Sequence, residues 1–435
     1  MKRSLFLALA LSTTSLLQAA NWSQWRGPNF NGSSPETGLP SSWSQTEKVV
    51  WKTPLPGESA ATPVVWEDKV FLSSTDAQKE TLLAMCLDRK TGKVLWSHDI
   101  NKGLRQDSRS NFASPSPATD GKIVVFFYGN GDLVTYDLAG KELWRRNIQK
   151  EEGSFAFQWT FSSSPLLLDG KLYLQVLQRD TPVRGRGFSD RPNESYLIAM
   201  DPATGKTLWR TVRPSEAEAE SRESFATPIP FEFRGRKQIL IIGGDDLTGH
   251  DPATGAELWR WGTWNPTRIG HWRHVPSPVA SEDIILVCAP KRDPIYAIKA
   301  GGSGQLNDRA VAWVSKDTRA LSSDVPTPAY YQGDFFILSD VRKALSRIEP
   351  RTSQVKWSIE LPGQYKFEAS PLAADGKIFI MNFAGDVLVI DAHDGQIISN
   401  IPMGSGSDNQ TRSSIITAHG QLFVRTNGAL FCIAD

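Results

Sequence analysis

Cysteine is scarce in this 435-residue chain: there are 3, no two adjacent and none in a Cys-x-x-Cys-His run, which excludes a disulfide-stapled scaffold, a vicinal disulfide and a covalently attached haem. Charge of one sign is lacking too, because 48 Lys and Arg stand against 47 Asp and Glu, so neither a polycationic nucleic-acid binder nor an acidic tail is expected. No stretch approaches the roughly 20 apolar residues that span a bilayer. Also missing are a nucleophile elbow Gly-x-Ser-x-Gly, a Walker loop and a His-Glu-x-x-His zinc motif. What is plentiful is tryptophan, with 15 copies, and their placement organises the chain.

The N-terminus carries a short basic start, Met1-Lys2-Arg3, an apolar run from Leu5 to Leu11 and small residues at Ala19-Ala20. This pattern predicts a secretory signal peptide over residues 1–20, with a membrane anchor as the alternative that the polar Ser12 to Ser15 interruption disfavours. No cysteine follows the cleavage region, so an exported, periplasmic or secreted protein without a lipid anchor is expected.

Internal repetition is pronounced. Asp201-Pro-Ala-Thr-Gly-Lys-Thr-Leu-Trp209 recurs as Asp251-Pro-Ala-Thr-Gly-Ala-Glu-Leu-Trp259, with looser copies ending at Trp96, Trp144 and Trp357. Asp opening a turn, Gly where φ must be positive and an aromatic closing the second apolar run describe a β-hairpin. Upstream of most copies lies Ser/Thr-Pro, a short apolar run and Asp-Gly-Lys, as at Ser114-Pro115, Ser164-Pro165 and Ser370-Pro371, with Thr62, Thr227, Ser277 and Thr327 continuing the series. Two hairpins make a four-stranded unit. Trp51, Trp96, Trp144, Trp209, Trp259, Trp313 and Trp357 recur at a mean spacing of 51 residues, a propeller-blade length.

The expected fold is therefore all-β: an eight-bladed β-propeller of four-stranded antiparallel blades over residues 46–435, preceded by an extension at 21–45. The last 36 residues supply only three strands, and Val49-Val50-Trp51-Lys52 is the missing fourth, so an N-terminal strand joining the last blade closes the ring. An open array of β-sandwich units is the competing arrangement. The seven tryptophans are expected to wedge between blades. Equivalent placement of Cys86 and Cys432 on neighbouring blades would hold them beyond the roughly 7 Å a disulfide tolerates, so free, buried thiols are expected.

With these residues in view, the chain resembles the PQQ-like β-propeller repeat family, shared by quinoprotein alcohol dehydrogenases and the outer-membrane assembly factor BamB. The resemblance spans about residues 45–435 and rests on the repeated Ala-x-Asp-x-x-Thr-Gly-x-x-Leu-Trp unit. The opening Trp22-Ser-Gln-Trp-Arg-Gly-Pro-Asn-Phe-Asn-Gly32 is similar to the start of secreted PQQ-like proteins common in planctomycete and verrucomicrobial bacteria. The dehydrogenases of that family hold pyrroloquinoline quinone (PQQ) against a ring of two adjacent cysteines, with Ca²⁺ held by Glu, Asn and Asp; this chain lacks the cysteine pair.

Long connections should gather on one face, around the channel mouth. Positions just before each Ser/Thr-Pro give the candidate rim: Glu58, Arg109, Trp159, Glu223, His271, Arg273, His274, Asp324, Lys366, Glu368 and Arg412. Aromatics crowd the same stretches. His271 and His274 are spaced as the start of a metal site but have no visible third ligand. The insert from Gln178 to Asn193 is longer than its hairpin needs, and it reads as a disordered loop or as an arm over the mouth.

Two functional expectations follow. The first is a non-enzymatic monomeric module binding a protein, peptide or glycan at the loop face, with no cofactor, no metal and no nucleic acid. The alternative is an atypical quinoprotein dehydrogenase oxidising an alcohol or sugar, with PQQ carboxylates on Arg109, Arg273 or Arg412 and Ca²⁺ on Glu58, Glu223, Asp324 or Glu368.

Overall fold

The computed structural model describes residues 21–435 apart from 292, 318, 319 and 407; the expected signal peptide lies outside the described residues. Thirty-two strands form eight antiparallel four-stranded sheets, one per blade. The first blade runs Val64–Trp66, Lys69–Asp76, Thr81–Asp88 and Val94–Lys102, and each later blade repeats that up-and-down order. The eighth is built from Ile416–Ala418, Gln421–Arg425, Ala429–Ile433 and the N-terminal Val49–Pro54, with Trp51 opposite Cys432 and Thr53 opposite Leu430. One departure from the expected pattern occurs in the fourth blade. There Gly304–Gln305, reaching over from the fifth, adds a short parallel fifth strand beside Glu257–Trp261.

The repeated turn explains itself atom by atom. In the copy at Asp201, the side-chain Oδ1 accepts the amides of Ala203 and Thr204, and the Gly205 amide donates to the Asp201 carbonyl at 2.8 Å. Gly205 has φ +73°, and a Cβ there would lie 2.7 Å from Trp144 of the preceding blade. Glycine is thus required twice over, for the left-handed backbone and for the indole lying flat on the turn. Trp144 donates its Nε1–H to Pro202 O at 2.8 Å, and Trp51, Trp96, Trp313 and Trp357 make the same bond to the next blade's turn. Two tryptophans differ. Trp209 rests on Gly255, but the equivalent acceptor, Pro252 O, is already taken by the Tyr173 hydroxyl; Trp259 turns to Gln238 in its own blade. The three cysteines are free and buried, and burial pushes each thiol upward.

Around the channel, the Ser/Thr positions form a closed belt. Each blade's amide donates to the next blade's hydroxyl: Thr62 to Ser116, on through Ser164, Thr227, Ser277, Thr327, Ser370 and Ser414, and back to Thr62, at 2.9–3.3 Å. The second blade uses Ser116 rather than the expected Ser114, whose hydroxyl instead serves the Asn111 amide. In the eighth blade Ser414, with no proline after it, fills the place.

Residues 22–36 cross the channel on the inner side of this belt. Trp22 pairs with Val65, Ser23 accepts from Thr119 and Gln24 bonds both backbone groups of Leu167, which ties the segment to the first three blades. Asn31 and Gly32 then reach the sixth and seventh blades at Tyr330 and Ala373. Between these anchors the buried Arg26 guanidinium donates to Pro328 O at 2.8 Å and Pro371 O at 3.1 Å. Gly32 leaves it room, since a Cβ there would fall 1.8 Å from the guanidinium.

Candidate functional site

The loops entering the first strands converge above the hydroxyl belt and enclose a cavity of about 150 Å³. Arg109 comes from the entry to the second blade, Trp159 to the third, Arg273 to the fifth, Glu368 to the seventh and Arg412 to the eighth. Hydroxyls of the belt form the lower wall, and Trp25 of the crossing segment lies at the inner end. The cavity is therefore a funnel with an aromatic residue at its closed end rather than an open pore.

Its polar groups are held by specific partners. Arg109 lies 5.7 Å over the Trp159 ring, and the Trp159 indole donates to Glu220 Oε1 at 2.9 Å. The same Glu220 oxygen faces Arg273 at 3.5 Å, so one carboxylate orients both. Arg412 donates through Nε to Glu368 Oε2 at 2.8 Å and through Nη1 to Gln410 at 3.1 Å. Behind Trp25, with its guanidinium 5.8 Å from that ring, Arg26 is wholly buried and held by carbonyl oxygens alone. Burial pulls its pKa down to about 9, which leaves it charged at neutral pH.

Five of the expected rim residues, Arg109, Trp159, Arg273, Glu368 and Arg412, meet in this cavity. The others do not. Glu58 accepts from Gln106 at 2.6 Å in an adjoining cleft. Glu223 is buried under the rim, with Oε1 taking Arg179 at 2.6 Å and the Gln158 amide at 2.9 Å, and burial pushes its carboxyl up to about 7. Asp324 binds the Lys291 amide at 2.9 Å, and Lys366 is exposed outside the cavity. The histidine pair diverges: His271 is exposed, whereas His274 is buried against Trp264 with its pKa lowered to about 3 by burial. The insert from Gln178 to Asn193 is not a loose loop. Arg179–Glu223, Arg222–Asp180 and the Arg186 bond to Phe157 O bind it down beside the third and fourth blades' entry loops.

The residues present fit one part of a quinoprotein site and not another. Three guanidiniums against one carboxylate, two indoles and a buried fourth cation suit a flat molecule bearing several carboxylates. The buried Trp25 Nε1–H has no partner among the described residues and is a donor left for such a ligand. For calcium the fit fails: Glu58, Glu223, Asp324 and Glu368 are engaged separately, and among the described residues no three acidic, His or Cys side chains come together. Position relative to the Ser/Thr-Pro series identified the rim arginines. Trp25 and Arg26 were missed because no local feature shows that the N-terminal extension runs through the channel, and Glu220 because it lies in the Ala219–Arg222 turn and acts through Trp159 and Arg273 of other loops.

The Trp-on-turn contact and the hydroxyl belt tie the eight blades of this chain into a closed propeller. Residues 37–181, 154–289 and 243–435 match, as three overlapping stretches, the family described as "Outer membrane protein assembly factor BamB". The chain belongs to that family of PQQ-like repeat propellers. Curated relatives include a polyvinylalcohol dehydrogenase of Sphingopyxis sp. (strain 113P3), 28% identical over 56% of this chain and 40% of that protein. Another is a quinohemoprotein alcohol dehydrogenase of Comamonas testosteroni, 24% identical over 54% of this chain and 31% of that one. The chain thus matches less than half the length of these relatives. Solved structures of similar fold include that Comamonas testosteroni enzyme, with TM-score 0.65, 13% identity and coverage of 95% and 80% of the two chains. BamB from Moraxella catarrhalis gives TM-score 0.61, 14% identity and coverage of 88% and 99%.

These relatives correct the first functional expectation. A non-enzymatic binding module without cofactor does not stand against curated relatives that are dehydrogenases, and the alternative is the reading they favour.

Proposed function

We propose that the channel-mouth cavity binds a tricarboxylate quinone of the PQQ class and that the chain is a quinoprotein-type dehydrogenase acting on an alcohol or sugar hydroxyl. One observation carries this reading: Arg109, Arg273 and Arg412 converge on a single blind cavity whose inner end is Trp25. When bound, such a quinone supplies the acceptor for the two electrons removed from a hydroxyl-bearing carbon.

The chain's own residues do the rest. Guanidinium forks present paired donors to carboxylates, and the uncompensated Arg26 behind the cavity adds attraction that salt screens poorly because it is buried. Trp25 and Trp159 offer flat faces that define the ligand's plane and keep water from it. Glu368 is the carboxylate among the lining residues and is the group placed to accept a substrate hydroxyl proton, with Arg412 holding its Oε2. No step is assigned to a metal. Export, expected from residues 1–20, accompanies this reading; N-terminal sequencing of the protein recovered from culture medium or periplasm tests it.

Saturable one-to-one binding of PQQ with dye-linked oxidation of a primary alcohol would support the function. Charge-assisted bonds are worth about 1.5–3 kcal/mol each, so Arg109→Gln or Arg412→Gln should weaken PQQ by roughly 10- to 100-fold. Undiminished binding in both variants would reject this site.

A further inference from the structure

Beside the channel cavity, and sharing only Trp159 with it, lies a second pocket of about 250 Å³ between the second and third blades. We propose that this pocket binds a small organic monoanion with an apolar body, such as an aromatic carboxylate. The inference stands apart from the quinone reading.

The pocket joins an apolar aromatic wall with two cationic side chains. Its inner wall is aromatic: Phe155, Phe157 and Phe161 are buried, with Phe161 ring centroids 5.0 Å from Phe155 and 5.4 Å from Phe157, and Phe112 and Trp159 complete it. Two guanidiniums, Arg105 and Arg186, share the same lining. Among the described residues Arg105 has only Asp107 as an ion-pair partner, at 4.0 Å, the limit of an ion pair. Arg186 spends Nη2 on the Phe157 carbonyl at 2.5 Å, and its Nε–H is buried with no partner among the described residues. Burial, and then the like charges of Arg105 and Arg184, lower the Arg186 pKa against the opposing pull of Glu223 and Asp107, so the two guanidiniums repel each other across the pocket.

An inorganic anion would satisfy the guanidiniums and leave the phenyl walls without a filler. A neutral aromatic would do the reverse. A carboxylate on one ring satisfies both, accepting from Nε–H of Arg186 while its ring packs on Phe155 and Phe161. The pocket is also a built one: the insert that delivers Arg186 is fixed by the antiparallel bridge of Val183 with Arg186 and by Arg179 donating to Ala156 O at 3.2 Å. This gives the long insert a purpose beyond linking two strands.

The test is calorimetric titration of the full chain, with no quinone added, using benzoate, benzamide and inorganic phosphate. Benzoate should saturate one site with affinity at least about 10-fold above both others, as one charge-assisted bond implies. Arg105→Gln and Arg186→Gln should each weaken benzoate by about 10-fold or more on the same basis, and the distant, exposed Arg234→Gln should not. If Arg186→Gln unfolds the insert, Arg105→Gln carries the test alone. Benzamide or phosphate binding as tightly as benzoate, no saturation by benzoate at millimolar concentration, or an unchanged affinity in Arg105→Gln would each overturn the inference. Arg412→Gln, which lines the channel cavity and not this pocket, should leave benzoate binding intact while weakening quinone binding by roughly 10- to 100-fold, so the two readings fail separately.

Discussion

Gly205 and Gly170 make a matched pair that isolates how much the tryptophan contact between blades contributes. Both have φ near +73°, so alanine at either position pays a left-handed backbone cost of about 1–2 kcal/mol. They differ in what a methyl group would meet. At Gly170 nothing lies within 4 Å, whereas at Gly205 the Cβ would sit 2.7 Å from Trp144 Cε3. Displacing that indole sacrifices the Trp144 Nε1 to Pro202 O bond, worth about 1 kcal/mol, and strains a tightly packed seam by roughly 1–3 kcal/mol. Gly205→Ala should therefore destabilise by roughly 2–4 kcal/mol more than Gly170→Ala. At about 2.1 cal/mol/K per residue a chain of this length moves its melting temperature only about 1 °C per kcal/mol, so urea midpoints are the better readout. In a Trp144→Ala background the two glycine substitutions should cost the same. Equal costs in the wild-type background, or an excess at Gly205 that survives removal of Trp144, would refute the claim that the indole on the turn holds adjacent blades together.

Arg425 of the eighth blade is buried and donates to Ala61 O, Ser73 O and Ser74 Oγ of the chain's first turns of propeller; Arg425→Met should cost several kcal/mol at roughly 1–3 kcal/mol per orphaned acceptor, measured by urea denaturation. His250 and His274 are buried neutral, with pKa values lowered to about 4 and about 3, so their contribution is fully present above the ordinary histidine value near 6.5 and is lost as pH falls from there toward 3. His274→Gln should flatten the acid limb of a stability-versus-pH curve. Glu223, raised to about 7, acts oppositely: stability declines as pH rises from about 4.5 to 7, and Glu223→Gln should remove that slope. Glu368→Gln should leave PQQ affinity within a few-fold of wild type while lowering dye-linked turnover by roughly 10²–10⁴-fold, the contribution of a proton acceptor.

The ring was legible because each blade writes the same local chemistry: Asp to cap the turn, Gly under the preceding indole and Trp to rest on it. Closure was legible from a strand-plus-Trp at residues 49–52 with no blade before it. Harder to read were positions decided by neighbours distant in sequence. Ser114 and Ser116 both precede proline, and only the belt's geometry chooses Ser116. Glu223 and His274 stand where rim residues should, yet the insert and Trp264 cover them. Trp25 and Arg26 look like part of a leader-proximal extension, and their place under the cavity depends on six blade contacts spread over some 350 residues. Repeat position alone also does not pick out a set of calcium ligands, because Glu58, Glu223, Asp324 and Glu368 are each engaged with separate partners around the ring.

The most direct test of the account is calorimetric titration of the full chain with PQQ, in the presence of Ca²⁺ and again in EDTA, alongside Arg109→Gln and Arg412→Gln. The arginine-lined funnel predicts one-to-one binding at micromolar affinity or tighter in both media, weakened by roughly 10- to 100-fold in each variant. No heat of binding in either medium, or full affinity in both variants, would contradict it.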